Sequence, residues 1–136
     1  MNMEYPVVIH HEEGTAYGVT VPDIPGCFSA GESVTEALHN SKEAINGHLE
    51  ILAEDGEDIP ESNNIDKYKD VEEYRGGIWA LVDVDITPFL GKTVRVNITL
   101  PEIVLNKIDA FVAEHKEFPS RSAFLAQVSM REIKTL

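Results

Sequence analysis

Residues 16–37 read AYGVTVPDIPGCFSAGESVTEA, and this stretch decides the architecture of the first half of the chain. Ala16 to Val21 alternates, with Tyr17, Val19 and Val21 on one face, which is the period of a β-strand. Pro22, Asp23, Ile24, Pro25 and Gly26 break it, and a short strand is predicted from Cys27 to Ala30. Ser33 and Glu36 then form an SxxE capping box, in which the serine oxygen accepts an orphan helical N–H. Val34, Ala37, Leu38, Ser41, Ile45, His48, Leu49 and Leu52 follow at helical spacing, so the box should open one long amphipathic helix ending near Asp55 and Gly56.

Upstream, Met3, Tyr5, Val7 and Ile9 alternate with Glu4, Val8 and His10 as far as His11. This predicts a first strand that a turn at Glu12, Glu13 and Gly14 folds into a hairpin. Downstream, residues 56–77 are acidic and polar, an expected surface loop with a helical turn around Asp66 to Tyr74. Ile78 to Ile86 returns to strand pattern. Residues 1–90 therefore read as a small α+β domain, with one long helix against a sheet of three strands and one more.

The 136 residues carry a formal charge of −13, which taken whole argues against nucleic acid as a partner. The average conceals a boundary at Gly91. Residues 1–91 hold four basic and 19 acidic side chains, a formal −15, whereas residues 92–136 hold seven basic and five acidic, a formal +2. Such asymmetry suggests different partners for the two parts, one of which is compatible with DNA. Thr87, Pro88, Phe89, Leu90 and Gly91 would make a hinge between domains at 1–90 and 91–136. At 43% hydrophobic residues the chain can bury a core. The longest apolar run, Ile78 to Val82, is too short to span a bilayer, and no signal peptide is evident, so a cytoplasmic protein with no membrane partner is expected.

Thr93 to Leu100 alternates strictly, with Val94, Val96, Ile98 and Leu100 on one face and Arg95, Asn97 and Thr99 on the other. Pro101 suits the first turn of a helix carrying Leu105, Ile108, Phe111 and Val112. Ser120 is a good N-cap for a second helix with Phe124, Leu125, Val128 and Ile133. A strand and two short helices are too small a core to fold alone. Pairing with a second copy through Val94, Val96, Ile98 and Leu100 would complete it, and a two-stranded ribbon would then present Arg95, Asn97 and Thr99 twice. Those side chains suit base edges in a major groove, and Ser120 with Arg121 at a helix start suits a phosphate.

Thr93 to Ile133, with its PSRSAF turn at residues 119–124, resembles the ribbon-helix-helix repressors of the MetJ and Arc type. The run at 16–37, with the strand before it and the helix after it, is similar to the signature of HicB antitoxins. That second resemblance implies a domain like a partial RNase H that binds and blocks a HicA-like ribonuclease toxin. It also implies a dimeric C-terminal domain that binds operator DNA and represses the antitoxin's own operon. A strongly acidic domain fits a basic, RNA-binding toxin.

Two other readings compete. One is a stand-alone repressor whose N-terminal domain senses a ligand or a protein. The other is a magnesium nuclease built on Asp83 and Asp85 with Glu43 or Glu50, disfavoured because no acid sits centrally in the first strand. No catalytic, metal or cofactor group is expected. His39 and Glu43 are one helical turn apart but make only two ligands. His10, His11 and His115 show no partner in the sequence, His48 falls on the apolar stripe, and Trp79 reads as core or as an interface anchor. Cys27, the only cysteine, has no basic neighbour and reads as a packing residue in a reducing compartment.

Overall fold

In the computed structural model, which describes residues 1–133, Ser33 opens the longest helix. Its Oγ accepts the N–H of Glu36 at 3.1 Å, and α1 runs over Val34–Glu54. Ala37, Ser41, Ile45 and Leu49 form its buried stripe, while Leu38, His48 and Leu52 are half-buried at its margins.

The strands are β1 (Asn2–His10), β2 (Tyr17–Thr20), β3 (Phe28–Gly31) and β4 (Ile78–Asp85). They make one antiparallel sheet in the order β3-β2-β1-β4. Val82 lies opposite Tyr5, Ala80 opposite Val7, and Val19 opposite Ile9, so these side chains share a face. That face is buried, and α1 packs across it.

Strict alternation assigns β1 one buried and one polar side, yet Tyr5 to Ile9 is buried throughout. The reason is the segment after α1. It returns over the outer face through two short 3-10 turns, Ile65–Lys67 and Glu72–Tyr74, where the sequence predicts a helical turn. Its end presses on β1 so closely that a Cβ on Gly77 would stand 2.3 Å from Val8 Cγ2.

The chain divides into two compact units, Asn2–Gly91 and the residues from Lys92 on. Thr87–Phe89 forms a further 3-10 turn, and Gly91, at φ +84°, follows it. In the second unit α2 spans Glu102–Glu114 and α3 spans Arg121–Ile133. Phe111, Phe118 and Phe124 meet at centroid distances of 5.2 to 5.9 Å beside buried Ile108. The predicted strand from Thr93 to Leu100 does not form in the single chain: residues 91–101 belong to no regular element. An isolated extended segment has no ladder partner for its N–H and C=O groups, so alternation alone cannot make it a strand.

Candidate partner-binding surfaces

In the N-terminal unit one buried carboxylate ties two loops together. Hydrogen bonds from Ile24 N–H to Val21 O and from Cys27 N–H to Ile24 O coil the chain between β2 and β3, with Gly26 at φ +81°. This turns the Asp23 side chain inward. There it accepts the Asn63 main-chain N–H at 2.9 Å, the Asn63 side-chain amide at 2.6 Å, and the Tyr68 hydroxyl. Tyr5 adds a second tie by donating to Pro60 O at 2.6 Å. A third comes from Trp79, whose ring lies 6.4 Å from Tyr68 and 5.7 Å from Tyr74. Burial and the neighbouring Asp23 push the Tyr68 phenol up to about 12.

The acidic segment is thus pinned at several points, and Glu57, Asp58, Glu61, Asp66, Asp70, Glu72 and Glu73 stand exposed along it. Asp23→Ala is expected to leave three donors without an acceptor and to cost about 3 kcal/mol, since hydrogen bonds to charged groups are the strong ones. Amide exchange at Asn63 should accelerate at least tenfold. Unchanged protection there would show that Asp23 does not hold the segment.

In the C-terminal unit Val94, Val96 and Ile98 are 79%, 71% and 60% exposed, and Leu100 is half-buried. Arg95, Asn97 and Thr99 are also exposed. Ser120 and Arg121 have partners inside the unit. Ser120 Oγ caps α3 by accepting the Ala123 N–H at 3.1 Å. Arg121 forks onto Asp109 of α2, Nε to Oδ1 at 2.9 Å and Nη2 to Oδ2 at 2.8 Å. That bidentate contact holds the Asp109 carboxyl below the usual carboxylate range and raises the guanidinium. The two residues lie 12 positions apart on different helices, so no local spacing rule announces the pair.

Residues 5–129 match the HicB-like antitoxin of bacterial toxin-antitoxin systems. The chain belongs to this family. A 14.9 kDa protein from the rep-hol intergenic region of Haemophilus phage HP1 is 45% identical over 131 residues, 96% of this chain and 98% of that protein. The crystal structure of the Burkholderia pseudomallei antitoxin HicB superposes with a TM-score of 0.78 at 45% identity, covering 93% of this chain and 96% of that one. A chain of a HicA3 and HicB3 toxin-antitoxin complex matches at 32% identity and a TM-score of 0.52, over 61% of this chain and 99% of its own length.

The carboxylates weighed for a nuclease are kept apart in this HicB-like antitoxin. Asp83 lies opposite Glu4 on the outer face of the sheet and accepts the Asn2 side-chain amide at 2.9 Å. Asp85, on the same face, accepts the Thr87 N–H at 3.0 Å, which lowers its carboxyl. α1, with exposed Glu43 and Glu50, lies on the other face. Among the described residues no group of three or more His, Cys, Asp or Glu is placed to hold a metal ion.

The histidines have structural neighbours that the sequence did not disclose. His11 stacks on Tyr17 at 3.9 Å and His115 on Phe111 at 3.7 Å. His10 lies against Gly77, His48 donates from Nδ1 to Ala44 O at 3.0 Å, and His39 pairs with Glu43 at 3.6 Å on an exposed helix face. Burial of Cys27 pushes its thiol up to about 11, away from nucleophilic use at neutral pH. Among the described residues no helix is long and apolar enough to cross a membrane.

Proposed function

We propose that this antitoxin neutralises a HicA-like ribonuclease toxin through Asn2–Gly91. In the same reading, a dimeric ribbon-helix-helix built from the residues after Gly91 binds operator DNA and represses the antitoxin's own operon. The observation that carries this reading is the likeness to a HicB antitoxin over 93% of the chain, through both units and not through one alone. The likeness to a chain of a HicA3 and HicB3 complex supports the choice of toxin class. A formal −15 supports it physically, because a toxin that cleaves RNA needs a basic surface and opposite charge speeds encounter.

For DNA the support is the free row at the start of the C-terminal unit. Two copies pairing Val94, Val96, Ile98 and Leu100 would bury an apolar face that stands open in one chain. The same pairing would turn Arg95, Asn97 and Thr99 outward as a ribbon for the major groove. Ser120 and Arg121 lie at the start of α3, where a phosphate would compete with Asp109 for the guanidinium.

Co-expression tests the toxin arm. A short basic protein encoded beside this chain should arrest growth alone and be silenced with it, in a complex that survives purification. Arrest persisting with no complex would reject the antitoxin assignment. For the DNA arm, Arg95→Ala and Asn97→Ala are each expected to weaken operator affinity tenfold to hundredfold, roughly 1–3 kcal/mol per lost base contact, with the dimer intact. Unchanged mobility shifts in both variants would reject the ribbon face.

A further inference from the structure

β4 is one margin of the sheet. It pairs with β1 without interruption, from Ile9 opposite Ile78 to Asn2 opposite Asp85, and among the described residues no strand runs along its other side. Free edges of this length are ordinarily blunted by a proline, a lysine or a bulge, because an open row of N–H and C=O groups recruits other strands. The eight residues of β4, IWALVDVD, contain no proline and no lysine, and their register shows no bulge.

Two large apolar side chains on this strand remain exposed, Ile78 at 57% and Leu81 at 55%. They lie on opposite faces: Ile78 shares the α1 side with Ile9, and Leu81 shares the outer side with Pro6. A partner lying over the sheet would account for one of them. Only a partner alongside the strand reaches both.

We propose that this partner is a second copy of the chain, its β4 paired antiparallel to this one about a two-fold axis at Ala80, so that two four-stranded sheets become one of eight strands. In that register Ile78 faces Val82 of the second copy on one side of the sheet, and Trp79 faces Leu81 of the second copy on the other, each contact made twice. Asp83 and Asp85 come level with Gly77 and Arg75 of the second copy, so acid does not meet acid. An axis at Asp83 would oppose like charges directly.

The register therefore selects the occupant. Self-pairing satisfies the apolar centre and spares the acidic end, whereas the formal −15 of the unit sets a repulsion that salt relieves. Added salt should tighten this association, the reverse of its effect on a basic partner bound by charge. The edge is separate from Val94 to Leu100, so the proposal does not depend on the ribbon.

The test is the native mass of the full chain by sedimentation, for the wild type, Leu81→Lys, Ile78→Lys, Arg75→Asp, and the lysine variants combined with Val96→Asp. With both interfaces present the wild type is a four-chain assembly. Each lysine variant is expected to halve that mass, and combination with Val96→Asp to give single chains. Arg75→Asp, which changes an exposed turn residue, should raise the dissociation constant about tenfold. If Val96→Asp alone changes nothing while Leu81→Lys still halves the mass, the ribbon fails and the edge pairing stands. Unchanged mass in both lysine variants overturns the proposal, as does an effect of Leu81→Lys without Ile78→Lys, which would mean packing on a face. Loss of toxin binding at unchanged mass would assign the edge to the toxin and overturn it equally.

Discussion

Val96→Asp and Ile98→Asp are each expected to abolish the C-terminal dimer and, with it, detectable operator binding. Both positions are more than half exposed in the single chain, and the segment around them belongs to no regular element. The free energy that would order it therefore comes from association. Burying one such aliphatic side chain is worth about 1.5–3 kcal/mol, and the two-fold doubles every gain and every loss. An aspartate in the ribbon replaces that gain with a buried, unpaired charge at a cost of about 3–5 kcal/mol per copy. The summed change exceeds roughly 6 kcal/mol, more than four orders of magnitude in dissociation constant. Sedimentation at micromolar protein should find this interface gone, while far-UV circular dichroism of the N-terminal unit is unaltered. Operator binding at wild-type strength by either variant would show that the apolar row is not the dimer seam.

Gly31→Ala is expected to be the most damaging single methyl in the molecule. Gly31 ends β3 opposite Tyr17, where α1 begins to cross the sheet. A Cβ there would stand 2.4 Å from Ala37 N, 2.8 Å from Ala37 Cα and 2.8 Å from Glu36 C. These are backbone atoms of the first helical turn, and no side-chain rotation relieves them. The helix cannot simply lift, because Asn40 donates to Ala30 O at 2.8 Å and Ala37 and Ser41 are buried beneath it. Overpacking of this kind costs about 3 kcal/mol or more, enough to lower the melting temperature of a unit this size by roughly 12–24 °C. Gly47 supplies the control. It lies inside α1, is exposed, and has no atom within 4 Å of a built Cβ. Gly47→Ala should therefore stabilise by about 0.5–1 kcal/mol, through helix propensity and a less flexible unfolded chain. Similar melting temperatures for the two variants would mean that α1 does not sit on β3 as described.

The two halves of the chain were legible to different degrees. Ser33 and Glu36 announced α1 because capping is local chemistry within one turn. The strands before it followed from alternation, and Ser120 announced α3 by the same rule as Ser33. Asp23 was not legible as a clasp, because its donors lie 40 and 45 residues away on Asn63 and Tyr68. Nor was Gly31, which reads as an unremarkable strand residue until α1 is laid across it.

The amino-acid sequence by itself determined the elements whose cause is local: caps, alternating faces, the amphipathic stripe, and the division between an acidic and a mildly basic part. These depend on neighbours within about four residues, and the composition of each window carries them. The tertiary structure alone decided what depends on side chains meeting across distance. It pinned the acidic segment to Asp23, spent Arg121 on Asp109, left β4 an open edge, and denied Thr93 to Leu100 a strand within one chain. Alternation specifies which face a residue would take in a sheet, but a strand exists only where another backbone supplies its hydrogen bonds, and that partner is a property of the fold or the assembly.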